Sequence, residues 1–286
     1  MPLSIEDLIL QHDRRGIGAL KPFLPPGFCT QAARFLQEHV THGGAVLICT
    51  GFYIPGPNQP ETDGPPGAIA IGRAVAALGG RPVYVTDRHA LPLLAQEREG
   101  NATVLEFPIA GDRESIHFAL RLVETVRPSL LVSVERPGLT AAGRYLTMRG
   151  VDITSFTARL DALFAEVLSL PSVGIGDGGN EIGMGNLAEH IPSIPTLPPE
   201  PTVTRVSSLV IAGVSNWGAY GLLAGLSRET GRDLLPGSEE QEGLVRGMVA
   251  AGAVDGVTGR REPTVDSFSL EENLVVLEAL RLAAFT

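Results

Sequence analysis

Residues 45–78 read AVLICT-GFYIPGPNQPETDGPPG-AIAIGRAVAAL, and this stretch decides the fold. Ala45–Thr50 is a short, nearly unbroken apolar run. Such a run suits a strand buried on both faces, as in a parallel sheet. Beyond it, Ala68, Ile71, Gly72, Val75 and Leu78 recur at helical spacing. Between run and helix lies Gly51–Gly67, a loop stiffened by proline and far longer than the roughly 2–6 residues usual for a strand-to-helix connection.

The same alternation continues outward. Pro82–Thr86, Thr103–Phe107, Leu130–Val134, Ser172–Gly176 and Leu209–Gly213 read as further strands. Helical faces are expected from Ile116, Ala119, Leu120, Val123 and Val126, and from Phe156, Leu160, Leu163, Phe164 and Val167. Capping boxes at Ser238–Gln241 and Ser269–Glu272 predict two late helices. The order implies a Rossmann-like α/β fold: a doubly wound, mostly parallel sheet of about six or more strands with helices on both faces. The expected organisation is one domain over 1–286, with a helical segment at 1–44 packed on a core at 45–286.

Composition narrows the function. The formal net charge of −10 argues against a general nucleic-acid binder, which needs clustered Lys and Arg. Cys29 and Cys49 cannot make a disulfide framework. The N-terminus reads as neither a secretory signal nor a transit peptide, and no apolar stretch reaches the length of a bilayer span. A cytoplasmic protein without membrane or nucleic-acid partners is therefore expected, and a homodimer is permitted. The first loop carries neither the P-loop nor the G-x-G-x-x-G pattern. A G-x-S-x-G elbow is absent from the chain, and the histidines have no metal-ligating spacing.

Ligands of open α/β sheets bind beyond the carboxyl ends of the strands, so the loops there carry the candidates. The first offers Glu61 and Asp63. The fourth strand runs into Glu135-Arg136-Pro137-Gly138, in which Arg136 suits a carboxylate and Glu135 a base or metal ligand. The fifth runs into Gly176–Gly185 (GDGGNEIGMG). There Gly178 and Gly179 permit close backbone approach, and Asp177, Asn180 and Glu181 offer oxygens to a hard cation or a substrate amine. After the sixth, Ser215 is the expected N-cap, Asn216 faces the crevice, and Trp217 either packs or binds. Outside the six strands, Thr258 and Arg260 could meet an anion.

Taken together, Thr50–Phe52 (TGF), Pro60–Gly67 (PETDGPPG), Val134–Gly138 (VERPG), Gly176–Gly185, Ser215–Tyr220 (SNWGAY) and Val254–Arg260 (VDGVTGR) resemble the D-glutamate cyclase family over about residues 45–285. The resemblance implies a lyase reaction, the dehydration of D-glutamate to 5-oxo-D-proline. Mammalian members are mitochondrial and carry a further N-terminal domain. The chemistry assigns Asp177 or Glu181 as general base, and Asp63 or Glu135 as acid or holder of a divalent cation such as Mg²⁺. Arg136 and Arg260 would anchor an acidic substrate, with an oxyanion at Gly178–Gly179. Two other readings remain open. One is a Mg²⁺-assisted enzyme of a small acidic or phosphorylated metabolite. The other is a non-catalytic module that binds an amino acid.

Overall fold

The computed structural model describes residues 3–95, 97, 102–165 and 168–286. Its principal helices are α1 (Ile5–Leu10), α2 (Phe28–His39), α3 (Pro65–Ala77), α4 (Asp112–Val126), α5 (Ser215–Thr230), α6 (Ser238–Ala250) and α7 (Leu270–Ala284). The strands are β1 (Ala45–Thr50), β2 (Tyr53–Ile54), β3 (Gln59–Pro60), β4 (Arg81–Thr86), β5 (Thr103–Glu106), β6 (Pro128–Val134), β7 (Ser172–Gly176), β8 (Ser208–Ile211), β9 (Thr264–Val265) and β10 (Phe268–Ser269). Six of them form one all-parallel sheet in the order β5-β4-β1-β6-β7-β8. The chain winds outward from β1 to one edge, then returns to β6 and winds to the other. That doubly wound order places the switch point between β1 and β6.

Alternation along each strand feeds two cores. Val46 and Ile48 point into the larger one, and Ala45, Leu47 and Cys49 into the smaller, on the opposite face. The larger holds residues of α1, α2, α3, α5, α6 and α7, whereas α4 and the turns at 158–164 cover the other face. In the N-terminal segment, Ile9 of α1 and Ala33 of α2 lie against α5. A Cβ at Gly221 would sit 2.8 Å from Ile9, and one at Gly225 would sit 3.2 Å from Ala33. Glycine on α5 thus permits this close packing. Among the described residues, no helix is long and apolar enough to cross a membrane.

Three local expectations change. The helix expected around 156–164 is instead two 3₁₀ turns, Thr154–Phe156 and Leu160–Phe164; Val167 lies outside the described residues. Between the turns, the Ala158 carbonyl accepts from Arg136 and the Ala158 N–H donates to Asp87, which removes both groups from a helical ladder. The cap of α6 is Gly237 rather than Ser238, with Glu240 accepting from the Gly237 N–H. Ser215 is the first residue of α5 rather than its cap, because Asp63 takes over the capping role from another loop. Ser269 caps α7 as its sequence predicts.

Candidate active site

The loops after β1 and β6 flank the switch point, and between them opens a cavity of about 400 Å³. Glu61, Glu135, Asp177 and Glu181 line its acidic side. Phe52, Ile54 and Val151 line an apolar side, and Thr147, Arg149 and Thr258 also reach it.

Two helix starts meet beside Glu135 and Asp177. Asp63 accepts from the N–H groups of Ser215 and Asn216 at 2.8 Å each, which places a carboxylate at the positive end of α5. Asn216 returns the contact, accepting from the N–H groups of Gly64 (3.1 Å) and Gly67 (2.8 Å) at the start of α3. The approach is tight. A Cβ on Gly64, whose φ is +95°, would sit 2.6 Å from the Glu135 Cβ. Glu135 itself has φ +45°, an uncommon conformation for a non-glycine residue, at the very end of β6. Its Oε2 accepts from the Ser215 hydroxyl at 2.6 Å.

Glu181 accepts from Gly178 N–H (2.8 Å) and Gly179 N–H (2.9 Å). The two donors expected to serve an oxyanion are therefore engaged by a carboxylate. Asn180 lines the cavity and donates to the Leu146 carbonyl. Arg136 does not line it. Its guanidinium is buried against the carbonyls of Gly51 and Ala158 and pairs with Asp87 at 2.6 Å. Arg260 is exposed and also outside the lining, whereas neighbouring Thr258 is part of it. Asn216 is spent on the start of α3, and Trp217 is packed in the core, donating to Asn273.

Two site residues, Arg15 and Asp266, come from outside the strand-end loops. Arg15, from the segment before α2, pairs with Asp177 through Nη1 and with Asp266 through Nη2 at 2.7 Å. Asp13 fixes the bend that delivers it, accepting from the N–H groups of Arg15, Gly16 and Gly18. Asp266 lies in the turn between β9 and β10, with φ +52°. Glu61 completes the set from the first loop.

Six buried carboxyl groups thus gather around the half-buried guanidinium of Arg15. Burial raises them all. Asp177 is pushed up to about 8 by burial, against the pull of Arg15. Burial and Asp266 take Asp63 to about 7. Asp266 also reaches about 7 through burial, with Arg15 opposing. Glu61 and Glu135 rise well above the usual range through burial and their acidic neighbours, and Glu181 rises less far because backbone N–H groups hold it. Carboxyls near neutrality in a cleft can both give and take protons at pH 7. One oxygen each of Asp63, Glu135 and Asp177 lies within 4.8 Å of the others, an all-oxygen donor set suited to a hard divalent cation.

A family model described as "D-glutamate cyclase-like, C-terminal" matches residues 5–281, so the match takes in the segment that carries Arg15. The human protein "D-glutamate cyclase, mitochondrial" is 33% identical over 244 residues, covering 78% of this chain and 38% of that protein. This chain therefore spans well under half the length of the curated relative it matches.

Proposed function

The chain belongs to the D-glutamate cyclase-like family, and from that premise we propose that it is a lyase that dehydrates D-glutamate to 5-oxo-D-proline. The observation that carries this reading is the cluster of buried carboxyls at the switch point, with Asp177 paired to Arg15. In the reaction the substrate nitrogen bonds to the γ-carboxyl carbon and a C–O bond breaks. The ammonium sheds two protons, and both leave with the departing oxygen as water. A site for this chemistry needs groups that accept protons from nitrogen and deliver them to oxygen a few ångströms away.

Asp177 and Glu135 line the cavity and divide these tasks. Asp177, whose ionised form Arg15 favours, takes a proton from the amine as the pH approaches 8. Glu135, kept protonated by burial and positioned by Ser215, gives one to the leaving oxygen. Glu181 tethers the glycine loop and keeps Asp177 in place. Thr258 and Arg149 at the cavity wall replace Arg136 and Arg260 as the groups that meet substrate carboxylates.

A second, metal-assisted reading is favoured by the oxygens of Asp63, Glu135 and Asp177. Those residues fit a Mg²⁺ ion, which when bound would polarise a carboxyl or phosphoryl oxygen. Mass spectrometry of an incubation with D-glutamate separates the alternatives. Stoichiometric loss of one water per substrate, abolished in Asp177→Asn, supports the cyclase. Unchanged D-glutamate beside turnover of a phosphorylated acid overturns it in favour of the second reading.

A further inference from the structure

Glu61 stands apart from the other acidic groups around the cavity. Asp63 accepts three backbone N–H bonds, Glu181 two, and Glu135 the Ser215 hydroxyl. Asp177 and Asp266 hold Arg15. The Glu61 side chain lines the cavity and its residue is only 5% exposed, yet it accepts no hydrogen bond and forms no ion pair among the described residues. Its place is nevertheless fixed. The Glu61 N–H bonds the Phe52 carbonyl, and the residue forms a parallel bridge with Val254. Beneath it, Gly256 is bare. A Cβ there would sit 1.7 Å from Glu61 Oε2 and 3.4 Å from Asp266 Oδ1, so two carboxylate oxygens converge over this glycine.

Carboxylate oxygens that open on a cavity and meet no protein donor are free to take one from a ligand. A backbone held this firmly around such an acceptor is built for a donor that arrives with the ligand. Phe52, Ile54 and Val151 supply an apolar wall to the same cavity, which suits an alkyl chain attached to that donor. Glu61 also falls outside the carboxylate trio whose oxygens lie within 4.8 Å of one another.

We propose that Glu61 receives the primary ammonium group of the ligand while its carbon chain lies along Phe52, Ile54 and Val151. The assignment rests on the cyclase reading for the rest of the ligand, though not for the ammonium itself. An ammonium brings three N–H donors, enough for Glu61 and a neighbouring carboxylate oxygen at once, and its positive charge favours the ionised Glu61 that burial alone disfavours. Glu61 is then the residue that tells an amino acid from the corresponding diacid.

The test is ligand-observed saturation-transfer NMR, which reads bound ligand whether or not it reacts. Its probes are D-glutamate, glutarate (the same diacid without the amine) and 1-aminopropane (the amine without carboxylates), each against wild type and Glu61→Gln. Wild type should prefer D-glutamate to glutarate by at least about tenfold, and Glu61→Gln should erase that preference while leaving glutarate within about twofold. Gly256→Ala, whose new Cβ meets Glu61, should show the same loss. A preference retained in both variants overturns the proposal, as does a wild type that binds neither amine. Binding of 1-aminopropane that depends on Glu61, without binding of D-glutamate, upholds the ammonium site and overturns the cyclase reading.

Discussion

Replacing Asp177 by Asn should flatten the pH dependence of folding stability, and the size of the change follows from the site. Burial raises the Asp177 carboxyl from 3.8 to about 8. Between these values the folded state holds a proton that the unfolded state has released. Stability from this group is therefore fully present below about pH 4 and is lost as pH rises through about 8. The slope is about 1.4 kcal/mol per pH unit across that window, a total on the order of 5 kcal/mol. Asn keeps the volume of the protonated acid, retains an oxygen for the Ser215 N–H, and does not titrate. Urea unfolding of wild type and variant at pH 5, 6, 7 and 8, with chelator present, measures the difference. Wild type should lose stability over this range, the reverse of ordinary acid denaturation. The variant should lose it less steeply by about 1.4 kcal/mol per unit, with Asp63 and Asp266 continuing to titrate near 7. Parallel profiles, or a wild type that gains stability from pH 5 to 8, would refute the reasoning.

Other consequences are as direct. Arg136→Met should destabilise the fold by roughly 3–5 kcal/mol in urea, because it strips Asp87 and two buried carbonyls of their donor; an anchor for substrate alone would leave stability untouched. In Gly256→Ala the new Cβ, 1.7 Å from Glu61 Oε2, should cut turnover more than about tenfold while the melting temperature moves little. Mg²⁺ should raise the melting temperature of wild type at pH 8 by binding Asp63, Glu135 and Asp177, and should raise that of Glu135→Gln less; equal shifts would exclude these ligands.

Much of the fold is legible because its signal is local. Runs such as Ala45–Thr50 and Ser172–Gly176 are strands because unbroken apolarity fits burial on both faces, and their bounds agree with the structure. The stretch around residues 156–164 misleads because Leu160 and Leu163 are buried in turns rather than on a helix, while Arg136 and Asp87 claim the backbone of Ala158. At the site, the strand-end rule reaches Asp63, Glu135, Asp177 and Glu181. It misassigns Arg136, although one available signal argues otherwise. Consecutive residues of an extended chain point to opposite sides, so Glu135 and Arg136 are poor candidates to face one cavity together. Arg15 and Asp266 meet with 250 residues between them in the chain, and no spacing rule spans that distance. Glu61 had a signal in the stiff PETDG loop. What singles it out, the lack of any donor, exists only in three dimensions.

The proposed reaction closes D-glutamate into a lactam. Purified protein incubated separately with D- and L-glutamate, with and without Mg²⁺ and resolved by chiral chromatography, tests it most directly. The expected product is 5-oxo-D-proline from the D isomer alone, lost in Asp177→Asn. No product from either isomer under any of these conditions would contradict it.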